Sequence, residues 1–269
     1  AILAQKELSD TASIVLVGDE AAAKKIIQDE NADEANFEFV NTTEIISMGD
    51  HPAKAILKKP DSSISVGFKL LKEKQIQAFA SAGNSGAMLV GSMYNIKPVT
   101  GVIRPCIPST LPKLSGGEGV ILDVGINADC KPDVLYQFGV LGSLYAEHVL
   151  KIKTPKVSLL NIGEEEGKGN MLTQATHQLM KDSPDFNFTG NIEGRDLFED
   201  LADVVVCDGF TGNVVLKEAE AFYTLIAKRG LLDDYFKRFN YENYGGTPVL
   251  GVNGTVLIGH GISNPTAIK

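Results

Sequence analysis

Four apolar runs in this chain each end in a loop of Gly, Asn, Asp, Ser and Thr. They are residues 78–87 (AFASAGNSGA), 120–132 (VILDVGINADCKP), 157–170 (VSLLNIGEEEGKGN) and 204–214 (VVVCDGFTGNV). A short apolar run that stops at such a loop reads as a buried strand. Open α/β sheets bind ligands outside the carboxyl ends of their strands. Gly lets the backbone turn tightly and approach a ligand, and successive N–H groups aimed into a cleft hold an anion. Four such loops together point to a shared site for phosphate or another oxyanion.

The rest of the chain alternates in the same way. Ser13–Asp19 reads as a buried strand, Glu20–Gln28 as an Ala-rich helix and Asn36–Asn41 as a short alternating strand. Ile64, Phe68 and Leu71 recur at helical spacing within Ser62–Glu73. A strand at Gln77–Ser81 leads to a helix from Gly86 through Tyr94, and helices are expected at Leu135–Leu150, at Leu172–Met180 and from Asn213 onward. Phe186–Ile192 and Ala202–Asp208 read as further strands. This pattern predicts an α/β fold, a single domain over residues 1–269 built on a mainly parallel, doubly wound sheet. Right-handed connections place its loops on one rim. Residues 218–239 are aromatic, amphipathic and interrupted at Gly230. They read as a helical hairpin packed on the sheet or on a second copy, and otherwise as a surface for a membrane or carrier protein.

Composition narrows the function classes. At 269 residues and 43% hydrophobic content the chain can bury a substantial core. A formal charge of −9 argues against non-specific nucleic-acid binding. No apolar run approaches membrane-spanning length and no signal peptide is visible. Cys106, Cys130 and Cys207 show no CxxC spacing and read as buried or half-buried thiols in a reducing cytoplasm. There is no GxGxxG, HExxH or EF-hand pattern, so neither a cofactor nor a metal site is expected. Gly163–Gly169 resembles a P-loop only superficially: its spacing is one residue short, Gly169 replaces the Ser/Thr, and three glutamates would repel phosphate.

Several runs together resemble one family, the PlsX phosphate acyltransferases of bacterial phospholipid synthesis. They are Ser81–Ala87, Arg104-Pro105, Leu111-Pro112, Asp123–Pro132, Gly163–Asn170, Gly190–Asp196, Asp208–Val214, Tyr244–Gly246 and His260-Gly261, in family order over nearly the whole chain. The family is similar to phosphotransacetylases and shares the α/β fold of the isocitrate and isopropylmalate dehydrogenases. The resemblance implies that inorganic phosphate and the thioester of an acyl carrier protein give acyl phosphate and free carrier. The product would feed a membrane glycerol-3-phosphate acyltransferase. A homodimer, cytoplasmic and peripherally membrane-associated, is implied too. Two family segments have no counterpart: an N-terminal strand with an Asp-x-Met-Gly-Gly-Asp loop, and a C-terminal helix after His260. The stretch around Arg229–Leu231 is shorter than the family's hairpin.

The chemistry fits the residues. Phosphate is a nucleophile without a strong base, so the protein must gather the reactants and stabilise the carbonyl oxyanion. Direct attack without an acyl-enzyme follows as the expectation. Asn84, Ser85 and Gly86 open a helix after a strand, where N–H groups and the Ser85 hydroxyl suit phosphate; Asn84 or Ser85 could equally be an ordinary N-cap. Thr211, Gly212 and Asn213 repeat that arrangement. With the resemblance in hand, Arg104 is a bidentate phosphate ligand. Lys131 and Lys168 are expected to offset phosphate charge or polarise the thioester oxygen, although Glu164, Glu165 and Glu166 make a solvated Lys168 the simpler reading. Asp123, Asp129 and Asp208 cap loops, orient a cation or protonate the departing sulfur. Asn127 and Asn170 donate to an oxyanion or form turns. His260, between two glycines, is the candidate general acid for the thiolate.

Overall fold

The computed structural model describes all residues from Ala1 to Lys269. The strands are β1 (Ile14–Gly18), β2 (Phe37–Asn41), β3 (Ala78–Ser81), β4 (Pro108–Pro112), β5 (Glu118–Leu122), β6 (Lys156–Leu160), β7 (Asn187–Ile192), β8 (Val204–Val206), β9 (Gly246–Pro248) and β10 (Thr255–Gly259). The helices are α1 (Ile2–Leu8), α2 (Glu20–Asp29), α3 (Pro52–Lys58), α4 (Ser63–Lys72), α5 (Ser85–Gly91), α6 (Pro132–His148), α7 (Met171–Met180), α8 (Gly209–Lys228) and α9 (Pro265–Ile268). The α/β class is as read from the sequence, but one sheet was expected and three are present, ordered β1-β2, β3-β10-β9 and β4-β5-β8-β6-β7. The chain divides into two compact units, Ala1–Val99 with Tyr241–Lys269, and Thr100–Asn240. Periodicity reveals strands but not their pairing; here β10 returns from the far end of the chain to lie beside β3.

In the Thr100–Asn240 unit, β5, β8, β6 and β7 run parallel. β5 and β6 are buried beyond their first residue and β8 throughout, as continuous apolar runs require in a sheet covered on both faces. Val134, Leu135, Phe138, Gly142 and Ala146 of α6 are buried at helical spacing. Phe138 has no exposed surface, and burying such a side chain stabilises by about 1.5–3 kcal/mol. β4 is an antiparallel edge strand. The Val120 N–H bonds to Asp203 on the β8 side. Its β4 partner Thr110, and with it Pro108 and Pro112, therefore direct their backbone N positions away from β5. The Pro112 carbonyl accepts the Tyr235 hydroxyl at 3.1 Å.

The hairpin expected over 218–239 is absent. α8 begins at Gly209 and runs for 20 residues, and Gly230 follows with φ +68°, a left-handed turn that ends a helix. Beyond it the chain makes only a 3₁₀ turn at Phe236–Phe239. Tyr235 and Phe198 pack edge-on against Phe239 there. α8 buries only Gly209 and Gly212 and leaves Phe210, Val214, Phe222 and Leu225 exposed.

In the other unit, β3 and β10 are parallel and β9 is antiparallel to β10. The predicted face of α4, with Ile64, Phe68 and Leu71, is buried with Phe79, Met88 and Val256. Phe68 meets Phe79 edge-on at 5.1 Å. The helix after β3 passes into a π turn over Ser92–Ile96. β1 is half-buried along its length rather than buried, because its sheet has only two strands. No helix is long and apolar enough to cross a membrane.

Candidate active site

Parallel order places the loops after β5, β6 and β8 along one rim of the five-stranded sheet. Asn127, Asp129, Lys131, Lys168, Asn170 and Asp208 all lie in those loops. A cavity of about 470 Å³ lies at the opposite rim, lined by Lys113, Glu118, Ile152 and Asp203 near the amino ends of β5, β6 and β8. It is not where this fold places its chemistry.

Asp123 organises the rim. It has no exposed surface. Its carboxylate accepts the N–H groups of Ile107 (3.0 Å), Ile126 (3.1 Å) and Asn127 (2.6 Å), and the Asn127 side-chain amide (3.1 Å). Burial raises its pKa, against the pull of these bonds. The Asn127 amide donates its second bond to the Pro105 carbonyl at 2.8 Å. Asn127 therefore ties two loops together, and its side chain is committed to structure rather than to an oxyanion.

The start of α8 packs onto this hub. A Cβ on Gly209 would lie 2.6 Å from an Asp123 carboxylate oxygen, and one on Gly212 would collide with the Asp123 carbonyl oxygen. The Gly209 N–H donates to the Asn127 carbonyl at 2.8 Å. Asp208 caps the helix: its side chain accepts the Thr211 N–H at 2.8 Å and the Thr211 hydroxyl at 3.0 Å. The Gly212 N–H donates to the Asp208 carbonyl at 2.9 Å. This turn thus does not repeat the anion-ready arrangement expected of Thr211, Gly212 and Asn213, because the Thr211 and Gly212 donors serve the helix itself. Asn213 remains exposed, its side-chain oxygen 3.3 Å from the Cβ position of Gly125.

Cations line the same rim. The half-buried Arg104 donates from Nη1 to the Asp129 carbonyl at 2.8 Å, which draws it to the 127–131 loop while the Asp129 side chain stays exposed. Lys131 is exposed just before Pro132, the first residue of α6. Lys168 is exposed; Glu166 pairs with Lys181 at 2.6 Å and Glu164 with Arg195 at 3.8 Å, while the Lys168 Cγ and a Glu165 carboxylate oxygen lie 2.8 and 3.0 Å from the Cβ position of Gly163. The Asn161 amide holds the Lys168 carbonyl at 3.1 Å. Asn170 caps α7, accepting the Thr173 N–H at 2.9 Å.

Three cysteines distant in sequence converge here in charge as well as in space. Cys130 is half-buried, and its thiol is pushed up to about 12 by burial and by the charges of Asp123 and Asp208, against Arg104. Burial drives Cys106 and Cys207 well above the ordinary range. All three are free thiols, and none is a thiolate nucleophile at neutral pH.

In the other unit, Asn84 is buried and caps α5 through the Ala87 N–H at 2.9 Å. Its amide also reaches the carbonyls of Ser47 (3.1 Å), Met48 (3.2 Å) and Asp50 (3.1 Å). Its side chain is thus a structural tie. Ser85 and Gly86, the first two residues of the helix, have N–H groups with no intrahelical acceptor. His260 follows β10 at the same end as the loop after β3, and a Cβ on Gly259 would lie 3.2 Å from that of Ala82. The His260 Nδ1 accepts the Ile262 N–H at 3.3 Å, which puts the proton of the neutral ring on Nε2. The ring stacks on Tyr241 at 5.5 Å. Sequence reasoning missed both Tyr241 and the Ser47–Asp50 loop. The one available signal was the pair of apolar residues, Ile45 and Met48, in a stretch without strand or helix period.

The profile of a family described as fatty acid synthesis protein matches residues 1–269. The chain is 45% identical to a phosphate acyltransferase of Dictyoglomus turgidum, over 96% of this chain and 82% of that protein. It is 40% identical to one of Salinibacter ruber, over 100% of this chain and 85% of that protein. Among solved structures, a phosphotransacetylase from Streptococcus pyogenes matches with a TM-score of 0.67 at 14% identity, over 99% of this chain and 87% of that one. The EutD phosphotransacetylase from Staphylococcus aureus gives 0.63 at 16%, over 97% and 85%. These two likenesses establish the shared fold. The identities to the first two relatives, spread over almost every residue, establish more: the chain belongs to the fatty acid synthesis protein family, that of the phosphate acyltransferases, and is an acyl-transferring enzyme.

Proposed function

We propose that the enzyme makes acyl phosphate from inorganic phosphate and the fatty acyl thioester of an acyl carrier protein. The observation that carries this reading is the row of three cations, Arg104, Lys131 and Lys168, none in an ion pair, on the strand-end rim of a phosphate acyltransferase. A phosphate oxygen attacks the thioester carbonyl carbon, the new C–O bond forms, and the C–S bond breaks with its electron pair on sulfur. The thiolate then takes a proton. Arg104 and the two lysines hold phosphate and balance charge as the oxyanion develops. Asp208 orients the start of α8. The neutral thiols of Cys106, Cys130 and Cys207 support direct attack over an acyl-enzyme.

The same reading takes a membrane glycerol-3-phosphate acyltransferase as consumer of the product. A homodimer with peripheral membrane association follows from it, supported by the exposed Phe210, Val214, Phe222 and Leu225 on α8. A phosphotransacetylase acting on acyl-coenzyme A is the competing reading. It is less favoured, because the phosphotransacetylases share only 14–16% identity with the chain. Phosphate-dependent formation of acyl phosphate is measured with long-chain acyl-carrier protein and with the matching acyl-coenzyme A. Product from the carrier-bound donor alone is the expected result; equal rates from both donors would favour the coenzyme A reading.

A further inference from the structure

Residues 163–169, the loop after β6 that carries Lys168, contain Gly163, Gly167 and Gly169. Glycine has the most backbone freedom to lose, so what fixes this loop must come from its neighbours. On α7, Gln174 donates from Nε2 to the carbonyls of Gly167 at 2.9 Å and Gly169 at 3.1 Å, and Lys181 pairs with Glu166. Both contacts are exposed, and an exposed ion pair contributes little. A buried contact lies beside them. Asn191 of β7 is 6% exposed, and its Nδ2 donates to the Glu165 carbonyl at 3.0 Å. The same carbonyl accepts the Lys168 N–H at 3.0 Å. It closes the turn from which the Lys168 side chain starts.

His177 of α7 fixes that amide. It is 4% exposed, meets Phe188 edge-on at 5.2 Å, and has its Nδ1 2.9 Å from the Asn191 Oδ1. The Glu165 contact sets the direction of this bond. A carbonyl only accepts, so the Asn191 nitrogen faces Glu165 and its oxygen faces the ring. That oxygen only accepts as well, which places the ring proton on Nδ1. Donation therefore runs one way, from His177 to Asn191 and from Asn191 to the Glu165 carbonyl. Burying two polar side chains costs free energy unless each is bonded. Packing alone asks for no such pair: Met180, on the same buried face of α7, is apolar and has no exposed surface. All these residues lie in the Thr100–Asn240 unit.

We propose that His177 is a positioning residue for phosphate: through Asn191 it sets the turn that places Lys168 on the strand-end rim. This inference rests on the reading of Lys168 as a phosphate-holding cation. His177 and Asn191 are both buried, so they act through the loop and not on the reactants. A lysine side chain is a flexible stem with a charge at its tip. The protein fixes where that stem begins, and here the Glu165–Lys168 turn is that point. Attraction between the ammonium and phosphate falls with distance, so a turn freed to wander weakens it.

The test is a double-mutant cycle in the full chain. His177→Leu is expected to lower kcat/KM for phosphate roughly tenfold, the size of one lost hydrogen bond, with KM for the acyl donor unchanged. In the Lys168→Ala background the same substitution should change kcat/KM for phosphate by less than about twofold, because the group it positions is gone. His177→Asn, which offers an amide N–H in place of Nδ1–H, should keep wild-type kinetics. Hydrogen exchange gives a second readout: the Lys168 amide should exchange roughly tenfold faster in His177→Leu, with the β5 amides unchanged. Equal losses in both backgrounds, or His177→Asn as impaired as His177→Leu, would overturn the proposal. If His177→Leu does not fold, Asn191→Asp enters the same cycle with the same expected outcomes. It keeps an oxygen for His177 and has no N–H for the Glu165 carbonyl. Wild-type phosphate kinetics in Lys168→Ala would overturn the cation reading and with it the role given to His177. A loss in Lys168→Ala together with unchanged exchange at Lys168 in His177→Leu would overturn the tie alone.

Discussion

Asp123 and Asn127 hold each other twice: the carboxylate accepts both the backbone N–H of Asn127 and its side-chain amide. Asp123→Asn would turn an amide donor toward groups that are themselves donors. The expected loss is about 1–3 kcal/mol of stability, the cost of buried donors left without an acceptor. Chemical denaturation measures it, and an unchanged midpoint would show that the hub does not hold the loops.

The cation row predicts a kinetic signature without a stability one. Arg104→Ala, Lys131→Ala and Lys168→Ala should each lower kcat/KM for phosphate by roughly tenfold to a hundredfold, as expected for one charge-assisted contact. Melting temperatures should scarcely move for the two exposed lysines. Arg104→Lys should not restore activity if the guanidinium binds through its planar fork. Unchanged phosphate kinetics in all three alanine variants would remove the clamp from the mechanism.

Gly212→Ala should destabilise by about 1–3 kcal/mol or more, because the new methyl falls on the Asp123 backbone, which cannot swing aside. Gly18→Ala is the control, since nothing lies within 4 Å of its Cβ position. Thermal melts of the two variants should separate clearly; similar melts would mean that α8 shifts freely on the hub.

Acid should loosen the 43–50 loop. The Lys59 ammonium, then the Ser47 N–H, hold the Asp50 carboxyl below its ordinary value of 3.8, and the Thr43 hydroxyl and N–H do the same for Asp61. A carboxylate with a lowered folded pKa contributes stability that is present above the unfolded value. That contribution is lost as pH falls through the folded one. Amide shifts of residues 43–50 should therefore stay constant down to about pH 4 and change below it. A change centred near neutral pH would contradict the assignment.

Much of the fold was legible because an apolar run followed by Gly, Asn or Asp has few other readings. The strands at Val120, Val157 and Val204 and the helix face of Ile64, Phe68 and Leu71 lie where the pattern puts them. The pairing was not legible. β9 and β10 are short and only partly buried, and the prolines of β4 disguise a strand. Residue type alone could not separate ligand from cap. Asn84, Asn127 and Asp208 carry groups that suit either role, and only the positions of Ser47, Pro105 and Thr211 show that each is already bonded.

The edge at β4 has a consequence for the life of the chain before and after folding. A strand arriving there would meet Pro108 and Pro112 where it needs N–H donors, and the Tyr235 hydroxyl already on the Pro112 carbonyl. Thr110 is the one residue of the three left to donate a ladder bond on that side. The sheet therefore ends at β4 by chemistry rather than by lack of chain. Crowded copies emerging from synthesis have no template on this side for runaway strand-by-strand growth.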